Sequence, residues 1–232
     1  MSQNKNATDI RNDYISVMGQ ELGTIFYELY QDVSLLHAKW NQYVQLYATS
    51  DSRLELLNHT AGSFFAIIQY VLWNDLLLHI GRLSDPKYSM GDPSKPNLSL
   101  HQIPDALEES LLKEEVKKTL NKLDRKASSA RDWRNRKLAH NSLLLLTDLH
   151  VKPLPRVTYS NLKETLALIA KIMNLLEMHY RKAEVSYDML ISQDNADSLV
   201  YYLRVATYVE ARNRQKMARG ELVPEDEMPS DW

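Results

Sequence analysis

The 232-residue sequence contains no cysteine. Disulfide bonds and thiolate zinc sites are therefore excluded, which fits a reducing cytoplasm. Glycine and proline are sparse, with six and eight residues, and no turn dipeptide is flanked by alternating apolar residues, which argues against a sheet protein. The N-terminus has no charged segment followed by an apolar one, and no apolar run approaches the length that spans a bilayer. We therefore expect a soluble, cytoplasmic protein without a membrane segment.

Motifs for bound metals and for nucleotide phosphates are also missing. The seven histidines show no HExxH or other chelating spacing, and neither GxxxxGK[ST] nor GxGxxG occurs. We therefore expect no metal and no other cofactor.

What the sequence does contain is helical periodicity. Apolar residues make up 44% of the chain, and between residues 9 and 48 they recur at the i, i+3, i+4, i+7 spacing of a long amphipathic helix, with Gly23 as the candidate for a bend. A second helix is predicted from Arg53 to Ser84. It is apolar nearly all round between Phe64 and Ile80, which predicts the central and most buried helix of the fold.

Three further helical segments complete the prediction of an all-α bundle of about five long helices. One runs from about Asp105 to Ser142, and its continuity across residues 127–130 stays open. The next is capped by Thr158 or Ser160 and ends near Tyr187. We divide the chain into a helical domain over residues 1–190, a basic amphipathic helix over 191–219 that packs on or extends the bundle, and an acidic, disordered tail over 220–232.

Charge is distributed unevenly along the chain. The net charge is −2, but residues 113–137 hold ten basic and four acidic side chains, a local balance of +6. Such asymmetry is expected when one basic face binds nucleic acid phosphates, although a solvated helix face gives the same pattern. The RNA-binding candidates are Lys117, Lys122, Arg125, Arg136 and Lys137.

The residues from Arg131 to Asn141, which begin within that basic region, have the highest density of ionisable side chains. Three arginines, a lysine, a carboxylate and an imidazole lie next to the apolar run from Leu143 to Leu146. An arginine can stabilise a pentacovalent phosphate while a histidine moves protons near neutral pH, and the pair requires no metal. The alternative is a solvated basic helix end beside the core.

The order Arg134, Asn135 and, six residues after the arginine, His140 resembles the signature of the HEPN superfamily. These all-helical domains include metal-independent ribonucleases of toxin and antiphage systems. The resemblance covers roughly residues 29–203 and is to the abortive-infection AbiU-like branch. The segments that carry it are Leu36 to Tyr43, Leu72 to Pro86 and the Arg131 block.

The resemblance implies an HEPN-like bundle that cleaves RNA through attack of the 2′-hydroxyl on the adjacent phosphorus. Arg134 would hold the phosphate oxygens, His140 would act as general base or acid, and Asn135 would orient one of the two. The products would end in a 2′,3′-cyclic phosphate and a 5′-hydroxyl. The implied partners are RNA, a second copy of the chain, and an antitoxin or another defence-system protein.

Several further residues are candidates to support this site. Asp75 and Arg82 share one face of the second helix, either as an ion pair with each other or as part of the site wall opposite Arg134. The remaining supporting candidates are Arg131 and two carboxylates expected near the motif, Asp85 and Asp132.

A regular helix places Arg134 and His140 about 120° apart, because each residue turns the chain by about 100°. Either the arginine reaches round, or the helix bends, or two chains share one cleft, as HEPN ribonucleases commonly do. A second interpretation of the whole chain is a non-catalytic HEPN module that dimerises and binds RNA, a nucleotide or a protein. The presence of both motif residues favours catalysis.

Overall fold

The computed structural model describes residues 6–108, 110–138, 152–189 and 194–221. Within these ranges there is no strand, and the one β-type pairing is an isolated bridge between Tyr88 and Pro96. The predicted all-α class is therefore confirmed. The long α-helices of the described part are α1 (Ala7–Met18), α2 (Gln20–Tyr47), α3 (Asp51–Leu83), α4 (Leu111–Trp133), α5 (Tyr159–Arg181) and α6 (Ala196–Ala218). Shorter helical turns are the 3-10 helices Ser89–Gly91 and Leu100–Ala106 and a π-helical segment, Arg134–Leu138.

The first predicted helix is two helices, because the chain turns at Gly19. This residue has φ 82° and ψ 166°, a backbone conformation that favours glycine, so α1 ends before it and α2 begins after it. The predicted bend at Gly23 is wrong. Gly23 lies inside α2, where a Cβ atom would lie 2.6 Å from the Ile15 Cα atom, so its function is to let α1 approach α2 closely.

The structure contains two compact units. The first comprises Met1–Trp40 and Leu72–Leu190. Its interior consists of fully buried side chains from α2, α3, α4 and α5, among them Phe26, Leu29, Val33, Leu36, Leu76, Leu77, Ile80, Val116, Leu123, Ile169, Ile172 and Met173. Within the described residues, α4 and α5 make the most extensive contact between two elements. This packing fixes the C-terminal end of α4, where the motif begins.

The second unit comprises Asn41–Val71 and Ile191–Trp232. An ion pair between Arg53 and Asp197, 2.5 Å apart, joins α3 to α6 within it, and Val200 is buried there. Residues 41–71 of this unit lie within the predicted helical domain over residues 1–190.

The helix α3, predicted to be the central and most buried one, is buried over only part of its surface. Near its C-terminal end Leu76, Leu77, Ile80 and Leu83 are fully buried, but four large side chains near its middle, Phe64, Ile67, Tyr70 and Val71, are more than half exposed. The helix is also interrupted by non-helical backbone angles at Ala61, with φ −154° and ψ 59°. By length and composition α3 is able to cross a membrane, contrary to the expectation that no such run exists. Core helices of soluble proteins meet the same criterion.

The helix that carries the motif begins later than predicted. Ser110 caps α4 by accepting a hydrogen bond from the Lys113 amide, and α4 then continues unbroken through residues 127–130. At Arg134 the α-helix changes into the π-helical segment. π-Helices are rare overall, but those that occur often lie at functional sites.

The predicted start of α5 is confirmed, and its predicted end is wrong. Thr158 and Asn161 form a reciprocal capping box at the start. The helix ends at Arg181 because Lys182 adopts a left-handed conformation, with φ 54°. Two hydrogen bonds between the Asn174 side chain and the Val185 backbone, at 2.9 and 3.0 Å, then hold the following segment against α5.

Candidate functional site

Arg134 lies where the end of α4 crosses the last turn of α3. Its side chain runs along Gly81, where a Cβ atom would lie 3.2 Å from the Arg134 Cδ atom. Any larger side chain at position 81 would therefore displace the arginine. The glycine allows the arginine stem to pack directly on the α3 backbone.

The Arg134 guanidinium is held by two partners. Its Nη1 atom donates to Asp85 Oδ2, and its Nε atom donates to Asn135 Oδ1 at 2.9 Å. The Arg134 and Asp85 side chains are 18% and 17% exposed, so the pair is largely shielded from water. An arginine has five N–H donors, and those outside these two bonds are the ones with which it would contact a phosphate.

Arg131 is anchored one turn earlier on α4. It donates to the Ser84 carbonyl at 3.0 Å, to Asp124 Oδ1 at 3.2 Å and to the Asp124 carbonyl at 2.8 Å. Ser84 precedes the Asp85 that binds Arg134, so the two arginines bind consecutive residues at the end of α3. Of the predicted supporting residues, the structure thus brings Asp85 and Arg131 to the motif arginine.

A groove of about 630 Å³ opens beside Arg131. His101 lines it, and its Nε2 atom lies 3.0 Å from the Asp124 carboxylate. Lys87 and Asp105, which form an ion pair with each other, also line it. The groove therefore contains an imidazole and a fixed guanidinium that share one carboxylate.

Sequence reasoning missed His101, Asp124 and Gly81. His101 and Asp124 are 23 residues apart and lie on a 3-10 helix and on α4, so no local spacing connects them. Gly81 is one of only six glycines and directly follows the apolar stretch of α3, which was the available indication of a close contact.

Asp75 and Arg82 do not pair with each other, which corrects one of the two interpretations of their shared face. Asp75 pairs with Lys39 of α2 at 2.7 Å. Arg82 lies 3.3 Å from Asp32, also of α2, and the buried His79 places its Nε2 atom 2.9 Å from the same carboxylate. The hydrogen bond with His79 lowers the pKa of Asp32. Both residues thus connect α3 to α2, and the described contacts of Arg134 include neither of them.

The remaining residues of the Arg131 block contact the protein or solvent. Asp132 is exposed, and the carboxylate that binds the motif arginine is Asp85 instead. Arg136 donates to the Lys152 carbonyl, and the Lys137 ammonium lies 5.2 Å from the centre of the Trp133 ring.

The other RNA-binding candidates separate into two groups. Lys122 and Arg125 line a groove of about 520 Å³ between α4 and α5, together with Lys126 and Lys171. Lys117 does not line this groove and forms an ion pair with Glu114 one turn away on α4. The groove is predominantly basic, which is the character expected of a surface that follows a phosphate backbone.

His140 lies outside the described residues, so the structure gives no distance between it and Arg134. Among the side chains that the structure does describe, no group of three His, Cys, Asp or Glu residues is arranged to hold a metal ion.

The all-α fold is consistent with an HEPN-like helical bundle. The family HEPN_AbiU2, described as AbiU2, matches residues 19–200, and the chain belongs to this family. The match confirms the resemblance drawn from the sequence. No curated protein and no solved structure matches the chain significantly.

Proposed function

We propose that this protein is a metal-independent ribonuclease that acts as a toxin or antiphage effector of abortive infection, with Arg134 and His140 as its catalytic residues. The observation that carries the proposal is the fixed position of Arg134. Asp85 and Asn135 accept hydrogen bonds from the Arg134 guanidinium, and the arginine stem packs on Gly81. The chain belongs to an HEPN family, and its motif arginine and histidine are both present. A preorganised cation is what stabilises the extra charge of a pentacovalent phosphate.

The reaction needs two proton transfers and no covalent intermediate with the enzyme. The 2′-hydroxyl loses its proton as its oxygen bonds to phosphorus, and the leaving 5′-oxygen gains a proton as its bond to phosphorus breaks. His140 performs one of these transfers. Arg134 binds the phosphate oxygens, and Asn135 keeps the arginine oriented. The products are a 2′,3′-cyclic phosphate and a 5′-hydroxyl.

The proposed active species is a homodimer with a shared cleft in the cytoplasm. Two chains supply two copies of His140, so one can act as base and the other as acid. Lys122 and Arg125 bind the RNA backbone outside the cleft, because they line a predominantly basic groove. Control by an antitoxin or another defence-system protein belongs to the same proposal.

A comparison of purified variants tests this function. Cleavage of a single-stranded RNA is measured for the wild type, Arg134→Ala, Arg134→Lys and His140→Ala, with RNA binding measured in parallel. We expect the alanine variants to lose at least about a hundredfold in rate, as for other oriented acid, base and anion-stabilising groups. Arg134→Lys should stay impaired because lysine lacks the planar fork.

The matched control is Arg11→Ala, since Arg11 is a half-exposed arginine of α1 that lies 3.9 Å from Glu28. It should cleave at the wild-type rate. Wild-type protein that binds RNA but does not cleave it would contradict the proposal and would support the non-catalytic HEPN module.

A further inference from the structure

The groove beside Arg131 adjoins the Arg134 site without being part of it. Ser84 and Pro86 line this groove, and they flank Asp85, the carboxylate that binds Arg134. Arg131, which also lines the groove, stands three residues before Arg134 at the end of α4. Residues three apart in a helix are neighbours on its surface. The groove therefore lies next to the position proposed for the scissile phosphate.

The polar side chains of the groove are accessible to a ligand. Their exposed fractions are 24% for Arg131, 26% for His101, 40% for Lys87 and 57% for Asp105. Each of them is oriented by a partner in the same groove, since Arg131 and His101 contact Asp124 and Lys87 pairs with Asp105. The groove thus presents a guanidinium, an imidazole, an ammonium and carboxylates in defined positions.

The part of the groove that carries Lys87 is held by hydrogen bonds that need no ligand. The Gln102 side-chain amide donates to the Lys87 and Asn97 carbonyls, both at 2.9 Å. The Asn97 side-chain amide donates to the Pro86 carbonyl at 2.8 Å. These bonds tie the loop that follows α3 to the 3-10 helix Leu100–Ala106. A largely preformed groove of this kind is typical of ligand sites.

The mixture of charges favours a nucleotide over a simple anion. The cations Lys87 and Arg131 are balanced by Asp105 and Asp124, so a bare phosphate would meet carboxylates as well. The hydrogen bond with Asp105 raises the pKa of Lys87, so the ammonium stays charged at neutral pH.

Each kind of group in the groove has a counterpart on a nucleotide. An ammonium binds a phosphate, a carboxylate accepts hydrogen bonds from base amino groups, and imidazole and guanidinium planes stack on splayed-out bases. The volume of about 630 Å³ lies within the range of about 300 to 1,000 Å³ found for small-molecule sites. A single nucleotide therefore matches the groove in both chemistry and size.

We propose that this groove binds the nucleotide next to the scissile phosphate of a single-stranded RNA, with Lys87 on its phosphate and His101 against its base. This inference rests on the proposed function, because the scissile phosphate is the one bound by Arg134. The groove then contributes to the choice of the cleaved position, since it contacts a base as well as the RNA backbone.

Two variants test the groove while leaving Arg134 and its partners intact. Lys87→Gln removes a partly exposed ammonium, and His101→Gln removes the ring but keeps an amide donor for Asp124. The affinity for a short single-stranded RNA of mixed sequence is measured by fluorescence anisotropy. The RNA is 2′-O-methylated, so it lacks the attacking hydroxyl and stays intact during the measurement.

We expect each variant to weaken the RNA affinity roughly threefold to tenfold, the loss typical of one hydrogen bond. Lys87→Gln should also reduce the slope of log affinity against log salt by about 0.7, because one contact with a single-stranded phosphate is lost. His101→Gln should leave this slope unchanged, since a base contact releases no counterion. With cleavable RNA, both variants should raise KM and leave kcat nearly unchanged, the result of losing uniform binding.

The matched controls are Lys95→Gln and His179→Gln. Lys95 is an exposed lysine of the same loop that pairs with Asp92, and His179 is an exposed histidine near the end of α5. Neither residue lines the groove. Both control variants should bind RNA as the wild type does.

Weaker RNA affinity in both groove variants, with unchanged controls, supports the proposal. Wild-type affinity in folded Lys87→Gln and His101→Gln overturns it, and cleavage by the wild type would then still support the proposed function. Conversely, a wild type that binds RNA without cleaving it refutes the ribonuclease, while the affinities of the two variants still decide whether the groove binds the strand.

Titration with the four nucleoside 5′-monophosphates identifies the source of the nucleotide. If these bind and the RNA does not, or if neither binds, the proposal of an RNA site is overturned. Lys87→Gln changes one partly exposed side chain and should fold as the wild type does. It therefore decides the question alone if His101→Gln does not fold.

Discussion

The buried His37 of α2 should make the free energy of unfolding depend on pH. His37 has its pKa lowered from 6.5 to about 4 by burial. Between these values the unfolded chain binds a proton that the folded chain does not, so the free energy of unfolding rises with pH across this window. His37 therefore costs nothing above pH 6.5 and destabilises the fold progressively as the pH falls towards 4.

The size of this effect follows from the shift. One pKa unit corresponds to about 1.4 kcal/mol, so a shift from 6.5 to about 4 amounts to about 3 kcal/mol of stability lost between neutral pH and pH 4. The charge of the Asp188 carboxylate opposes the shift in the pKa of His37. The difference between the wild type and His37→Phe isolates the contribution of the histidine.

Urea unfolding from pH 4 to pH 7 measures this difference. We expect the wild type to lose about 3 kcal/mol more than His37→Phe over the range, with most of the divergence below pH 6.5. Parallel stability curves for the two proteins would show that His37 is protonated normally in the fold, and the assignment of a neutral buried ring would then be refuted.

Three further predictions concern the Arg134 site. Gly81→Ala should slow RNA cleavage roughly threefold to tenfold, because the new methyl group displaces Arg134 by a few tenths of an ångström, and should change the free energy of unfolding by no more than about 1 kcal/mol. Neutralising both Lys122 and Arg125 should flatten the salt dependence of RNA affinity by about one logarithmic unit for each lost phosphate contact, equally for all sequences. Co-refolded Arg134→Ala and His140→Ala chains should recover cleavage that neither has alone, since a shared cleft pairs intact residues from two chains.

Each of these has its own control. Gly62→Ala adds a methyl group to the same helix at a place where nothing lies within 4 Å, so it should not alter cleavage. An equal loss of cleavage in both variants would show that the contact between Gly81 and Arg134 is not the cause. Neutralising the exposed Lys95 should leave the salt slope unchanged. Mixed dimers that form but do not cleave, or a chain that is monomeric at assay concentrations, would count against a shared cleft.

The parts of the fold that the sequence predicts are those determined by local chemistry. Helical periodicity gave the all-α class, and the Thr158 capping box fixed the start of α5. The sequence prediction placed the bend at Gly23, whereas the chain turns at Gly19. A single sequence does not distinguish a glycine that turns the chain from one that lets two helices pack closely, as Gly23 does. The exposed apolar side chains of α3 were missed because hydrophobicity alone does not reveal what covers a side chain.

The candidate site shows the same limit. Arg134 and Asp85 could be proposed from the motif and from its resemblance to a family. The contacts of Asp75 and Arg82 with α2, and of His101 with Asp124, could not, because each joins residues that are distant in sequence. Which charged side chains form ion pairs depends on how the helices cross, and the crossing of helices cannot be read from a single sequence.

The chemical ends of the RNA products test the central proposal most directly. Purified protein is incubated with RNA in excess chelator, and the fragments are identified by mass spectrometry beside an Arg134→Ala control. Attack by the 2′-hydroxyl predicts fragments that end in 2′,3′-cyclic phosphate and begin with 5′-hydroxyl, absent from the control. Cleavage that requires a divalent metal, that yields 5′-phosphate ends, or that persists in Arg134→Ala would contradict it.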